Sequence, residues 1–463
     1  MAALRSCVLI ALAGTLACAP PAASQGTVTF VDVTVIPMDR EGLLEGQTVV
    51  VSDGVITEMG PSEDVAVGSG TTIVAGAGRY LMPGLAEMHA HVPPGDDPPR
   101  EAIDDILFLY VANGITTIRG MLGSAYQIPL AEELERGEAL GPTFYVAAPS
   151  LNGSTAPTPE AAERLVRAHA AAGYHLQKIH PGVPLAVWNR MVEVAEEVGL
   201  TFGGHVPADV GLLHAMRTGM STVDHLDGFV QAVAPPGVTS QINAGRITLG
   251  GLLRGIDEGR IADIVQAVID EDVYVVPTMY LWENLYGTAD PEPFLAQPEM
   301  RYVSAAQREA WRRQAAGGPQ GSPEELEAFF DLRRRILEAL ADAGAGILMG
   351  TDSPQLFNVP GFALHREITA MADAGLTNRQ ILLSGTVNVG RYVREHLGID
   401  DSFGIVAPGQ RADLLLLGSN PLEDLTALTD RVGVMVRGRW LPQADLEAGL
   451  EALAAKHAAA AAR

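Results

Sequence analysis

Between residues 85 and 352 short apolar runs alternate with stretches whose apolar positions recur at helical spacing. The apolar runs predict strands over 85–92, 114–121, 143–150, 175–181, 201–206, 221–227, 273–280 and 346–352. Between them, Pro184 to Val198 reads as an amphipathic helix that stops at Gly199, and Thr158-Pro159 opens another with an N-cap and a first-turn proline. Eight strands alternating with helices predict an α/β chain folded as a parallel (β/α)8 TIM barrel. An open doubly wound sheet is the alternative, but no Gly-rich dinucleotide loop follows an early strand.

The pattern changes at both ends. Residues 27–80 carry short, β-branched, alternating runs broken by Gly and Asp turns, and residues 400–440 carry a matching set around Ala412–Leu417 and Val432–Val436. The two ends are expected to join into one small composite β-sandwich domain, leaving 81–399 for the barrel. Residues 441–463 read as an Ala-rich helix beginning near Ala444, just after Pro442. One connection, from Leu281 to about Asp342, is long, with Pro/Gly-rich patches at Gly287–Pro293 and Gly317–Pro323. An insertion of that kind after a barrel strand lies on the loop face and reads as a lid.

A length of 463 residues favours two domains, and 47% apolar against 19% charged residues is an ordinary globular balance. The net charge of −25 argues against nucleic acid, whose recognition requires clustered Lys and Arg. The first residues change the picture more. Arg5, the short apolar stretch Val8–Leu16 and Thr15-Leu16-Ala17-Cys18 resemble a lipoprotein signal, followed by the tether Ala19–Ser24. Export to the periplasm or cell envelope is therefore expected for residues 1–24, with Cys18 as the candidate lipid anchor and with signal cleavage near Ala22-Ala23-Ser24 as the alternative. Membrane contact is expected through that anchor alone. Both cysteines, Cys7 and Cys18, fall in this segment, so no thiolate is left in the mature chain as ligand or nucleophile.

The candidate chemistry sits where the predicted strands end. Strand one, Leu85 to Val92, delivers His89 and His91 two residues apart, hence on one face. With 11 histidines in the chain, a chance His-x-His is expected roughly 0.3 times, so the pair says little alone. Strand four carries Lys178 and His180 in an apolar run, strand five His205, strand six His225 and strand eight Asp352. Taken singly, each has a structural reading: a satisfied core histidine, a snorkelling lysine, a turn-capping aspartate. His89, His91, Lys178, His205, His225 and Asp352, from the ends of five strands, are expected to converge on one barrel mouth, and that pattern points to a metal site.

The motifs Met82-Pro-Gly-Leu-Ala-Glu-Met-His-Ala-His91, Asn113–Arg119, Gly173–Ile179, Gly204-His-Val206, Asp224-His225, Gly350-Thr-Asp352 and Gly404–Asp413 together resemble the amidohydrolase superfamily, in its imidazolonepropionase-like and carboxypeptidase-like dipeptidase branch. The resemblance spans nearly all of the mature chain. It implies that His89, His91 and Asp352 bind one divalent ion, that His205 and His225 bind a second, and that a carboxylated Lys178 bridges them. An ammonium beside two cations is disfavoured, and the neutral amine can form an anionic carbamate. Nitrogen and oxygen ligands without sulfur suit zinc, with manganese, cobalt or iron as replacements. Asp352 would be the general base and then the general acid of the hydrolysis of an amide-type C–N bond in a dipeptide, N-acyl amino acid or cyclic amide. The chain departs from the family at Gly120, where relatives usually carry an acid, and in the extra histidines His180 and His214.

Tyr280, Arg119 and His180 are the candidates for contacting a small-molecule or short-peptide substrate. Two other readings stay open here: a lactonase or phosphotriesterase-like hydrolase on the same two-metal site, and a non-catalytic envelope binding protein. Under any of these readings the sequence is compatible with a homo-oligomer.

Overall fold

The computed structural model describes residues 26–235, 237–238, 248–287, 290–316 and 321–461. The expected signal and tether, with Cys18, lie outside these residues. The β-branched N-terminal runs form β1 (Val28–Val35), β2 (Leu44–Ser52), β3 (Val55–Pro61), β4 (Thr72–Ala75) and β5 (Tyr80–Pro83). Seven short strands follow: β6 (Leu85–Ala90), β7 (Ile115–Gly120), β8 (Thr143–Val146), β9 (Gln177–Ile179), β10 (Phe202–Gly204), β11 (Thr222–Asp224) and β12 (Tyr274–Val276). The chain closes with β13 (Leu414–Leu417), β14 (Arg431–Val436), β15 (Arg439–Pro442) and the helix Gln443–Ala461.

One eight-stranded sheet draws on both ends of the chain, in the order β15-β14-β13-β5-β1-β2-β3, with β4 alongside β1. The joint is β13 against β5, antiparallel, from Leu414 opposite Pro83 to Leu417 opposite Tyr80. Alternation explains why four consecutive leucines belong there. Leu414 and Leu416 pack with Phe30, Val49 and Met435 on one face, and Leu415 and Leu417 face the large core of the rest of the molecule.

The middle of the chain is an α/β arrangement of parallel strands. The strands β6-β7-β8 form one sheet and β12-β11-β10-β9 another. Isolated parallel bridges Ala147–Leu176 and Leu151–Ile179 link β8 to β9. The eighth expected strand, 346–352, is not a regular strand. It is an extended segment held from both sides, by Leu348 N donating to Val275 O at 2.9 Å and Met88 N donating to Met349 O at 2.8 Å. Most strands are shorter than the apolar runs that predicted them; β12, for one, ends at Val276, before Pro277, which cannot donate to a ladder. Helices fall where expected, among them Leu185–Val198, ended by Gly199 in the left-handed conformation, and Pro159–Ala172, whose Thr158 side chain accepts a hydrogen bond from Ala161 N. The long connection after β12 contains the helices Met279–Gly287, Ala305–Ala315 and Pro323–Asp342.

Candidate active site

Polar side chains leave the C-terminal ends of the parallel strands and meet in one cavity of about 390 Å³. His89 stands on β6, and alternation carries Glu87 and His89 to the same side, with His91 just beyond the strand. Glu87 is fully buried and ties the eighth segment down: its carboxylate accepts from Thr351 N (2.7 Å), Thr351 Oγ1 (2.7 Å) and His89 N (3.1 Å). Burial nevertheless pushes its carboxyl up to about 8, against the pull of those bonds. The backbone turns sharply where the ligand-type residues project: His225 has φ of 66° and Asp352 φ of 61°, a region that non-glycine residues occupy chiefly where surrounding structure enforces it.

His91 Nε2 lies 2.5 Å from Asp352 Oδ1, His89 Nε2 lies 3.6 Å from the same oxygen, and His225 Nε2 lies 3.8 Å from Asp352 Oδ2. Lys178 Nζ is 3.2 Å from His89 Nε2. The imidazoles continue as a row, His89 to His225 at 4.6 Å between ring centres, His225 to His205 at 4.4 Å and His205 to His180 at 4.9 Å. Three of these imidazoles have the other nitrogen against an oxygen. His89 Nδ1 faces Asp224 Oδ2 at 2.8 Å, His205 Nδ1 faces Asp227 Oδ2 at 2.7 Å and His225 Nδ1 faces Thr278 Oγ1 at 2.8 Å. Such pairing fixes the tautomer and leaves Nε2 with its lone pair directed at the cavity.

The electrostatics agree. Burial holds His89 and His225 well below the usual imidazole range, so both are neutral, the form a cation binds. Burial is also the largest influence on Lys178, holding its amine below the ordinary lysine value although Asp224 and Asp352 pull upwards. Burial raises Asp352, but His89, His91 and Lys178 outweigh it and leave the carboxyl well below its ordinary value. His180 is pushed down to about 3, first by burial and then by Lys178 and His205.

These residues fit a divalent ion. Donor atoms of His89, His225 and Asp352 all lie within 4.8 Å of one another, and His225 Nε2 is a buried nitrogen with no hydrogen-bond partner. An unsatisfied buried imidazole nitrogen beside a carboxylate is the expected state of a ligand set. His91, His205 and His180 line the same cavity, and Lys178 reaches it through His89.

Two expected substrate contacts lie elsewhere. Arg119 is fully buried and bonded to Met88 O (2.7 Å), Thr222 Oγ1 (3.1 Å), the Tyr392 hydroxyl (3.1 Å) and Asp224 (3.3 Å); it braces the strands below the cavity. Tyr280 is not at a strand end, because β12 stops at Val276 and a helix begins at Met279. Its hydroxyl accepts from Gln297 Nε2 at 3.2 Å and it does not line the cavity. His214 bonds Asn189 at 3.2 Å, away from the histidine row. At Gly120 a Cβ would stand 2.4 Å from the Phe144 ring, so packing leaves no room for an acidic side chain there. Gly204, with φ of +123°, would place a Cβ 2.9 Å from Lys178 Cδ, so glycine there lets the lysine stem lie across β10.

Sequence reasoning missed Asp224, Glu87 and Thr278. The signal for the first two was present: a carboxylate inside a run of buried apolar residues requires a partner.

Residues 80–441 match the Amidohydrolase family, and the chain belongs to it. Among curated relatives, it is 36% identical over 79 residues to the enamidase of Eubacterium barkeri, a stretch covering 17% of this chain and 20% of that protein. It is 23% identical over 423 residues to adenine deaminase 3 of Rhizobium meliloti (strain 1021), covering 87% of this chain and 55% of that protein. The chain thus spans about half the length of this deaminase. Among solved structures it is similar in fold to a bottromycin amidohydrolase (TM-score 0.70, 24% identity, 93% of this chain and 90% of that one) and to a putative prolidase from Bifidobacterium longum (TM-score 0.62, 22% identity, 93% and 100%).

Proposed function

We propose that the chain is a metal-dependent hydrolase of amide-type C–N bonds, working at the mouth of a (β/α)8 barrel. The barrel reading follows from the unbroken sequence order of parallel neighbours, with the 347–353 segment bridging β12 and β6 through Val275–Ile347 and Ala90–Ser353. The observation that carries the function is the buried cluster His89, His225 and Asp352, with the bare Nε2 of His225 facing the carboxylate.

His89, His91 and Asp352 would hold one divalent ion, His205 and His225 a second, with Lys178 as a carboxylated bridging ligand; zinc suits this donor set. Bound there, the ions would supply Lewis acidity and lower the pKa of water. Asp352 is the base: its carboxyl, held below its ordinary value, is ionised and able to take a proton from the attacking water. As the C–O bond forms and the C–N bond breaks, Asp352 returns that proton to the leaving nitrogen, giving a carboxylic acid and an amine. Gln355 Nε2 donates to Asp352 Oδ2 at 3.2 Å and holds the carboxyl in place. Asp224, Asp227 and Thr278 keep the imidazoles oriented. The helix Met279–Gly287 roofs the cavity with Leu281, Trp282 and Leu285 and limits the access of bulk water.

A screen of the metal-loaded protein against dipeptides, N-acyl amino acids, cyclic amides, lactones and phosphotriesters tests the proposal. Release of an amine from at least one amide class is expected. Turnover confined to lactones or phosphotriesters would contradict it.

A further inference from the structure

The walls of the catalytic cavity are apolar: Val92 beyond β6, Leu122 beyond β7, Leu281, Trp282 and Leu285 on the roofing helix, and Pro354 beyond Asp352. Among the described residues that line it, none is Arg or Lys. Buried cations close to it are already engaged, Arg333 by His225 O at 2.9 Å and Pro277 O at 3.2 Å. Arg119 is fully buried and spent on Asp224 and Met88 O, and Lys178 is fully buried against His89. The one tyrosine hydroxyl expected to help, that of Tyr280, is engaged with Gln297 outside the cavity. Away from the ligand cluster, the polar side chains that line it are the Gln355 amide and the His180 imidazole, neither a carboxylate nor a guanidinium or ammonium group.

Among the described residues, a substrate anion lying along these walls, away from the metal-binding cluster, would therefore lose its hydration without gaining a side-chain counter-ion, inside a protein whose net charge is −25. Apolar groups meet matching walls, and an amide finds neutral donors and acceptors. We propose that the substrate is an uncharged amide with apolar groups flanking the scissile bond, rather than a dipeptide or N-acyl amino acid recognised through its free carboxylate. This rests on the reading of the cavity as the site of C–N hydrolysis, and it narrows the substrates expected from sequence.

The test is a matched pair on the metal-loaded enzyme: an N-acetylated apolar dipeptide with a free C-terminal carboxylate, and the same compound as its C-terminal carboxamide. The carboxamide is expected to have the higher kcat/KM by at least about 10-fold. An equal or better free acid would overturn the inference. Titration calorimetry with the same pair separates selectivity from chemistry. Tighter binding of the carboxamide without cleavage would uphold the selectivity and remove the C–N hydrolysis, whereas equal or tighter binding of the acid, or no binding of the carboxamide, overturns the selectivity. Leu122 is 38% exposed and tolerates a longer side chain, so Leu122→Arg supplies the missing cation. That variant is expected to narrow the preference by raising kcat/KM for the acid; an unchanged preference would count against charge as its origin.

Discussion

His91 and Asp352 are separated by 261 positions in the chain, yet Nε2 of one lies 2.5 Å from Oδ1 of the other. The contact ties the end of β6 to the bridged 347–353 segment. It also places an ionised carboxylate against the first of five imidazoles that run across the strand ends.

Asp352→Asn keeps the shape of the side chain but cannot accept the proton. It is expected to lower kcat by at least about 100-fold with little change in the fold, checked by kinetics and circular dichroism. Near-normal turnover would remove Asp352 as the proton carrier.

Lys178→Ala removes the group that touches His89 Nε2. Metal content by elemental analysis and hydrolytic rate are expected to fall together. A variant with full metal and full activity would take the carboxylated lysine out of the account.

Asp224→Asn weakens the partner of His89 Nδ1 and also the counter-ion of Arg119. Metal affinity is expected to fall by roughly 10- to 100-fold, the usual cost of losing a carboxylate behind a ligand histidine. Competition with a chelator measures it, and unchanged affinity would assign Asp224 to strand bracing alone.

Glu367 supports the roofing helix, accepting Met279 N and Tyr280 N at 2.8 Å each. Burial pushes its carboxyl up to about 7, above the value near 4.5 of an unfolded chain. A group raised in the folded state is less readily ionised there, so its contribution is complete below pH 4.5 and lost as pH rises through 7. The melting-temperature difference, wild type minus Glu367→Gln, is therefore expected to fall between pH 4.5 and 7.5. A difference that grows over that window would contradict the assignment.

The candidate ligands were legible in the sequence because each follows a run of apolar residues, where a polar side chain marks a strand end. His89, His91, His205, His225 and Asp352 all carry that mark, and the structure brings them to one cavity. Their supports were harder to read. The partner of Arg119 is Asp224, 105 positions away, and no local pattern pairs two charges across such a distance. Arg119 looked like a substrate contact because a buried arginine and a cavity arginine have the same sequence signature. Tyr280 was placed on a strand because the apolar run continues past Val276, but Pro277 and Thr278 turn the backbone and Glu367 caps a helix start. The 346–352 run was legible as extended chain. In the structure it is held by hydrogen bonds to β12 and β6, packs tightly at Gly350, where a Cβ would meet Val276 at 2.5 Å, and ends in the left-handed turn at Asp352.

Elemental analysis of the full-length protein purified from metal-replete medium tests the central claim most directly. The account predicts about two divalent ions per chain, lost on Lys178→Ala and restored to the wild-type chain after chelation and reloading, with amide hydrolysis following the metal. A wild-type protein that takes up no divalent ion, or that hydrolyses amides at full rate after complete chelation, would contradict it.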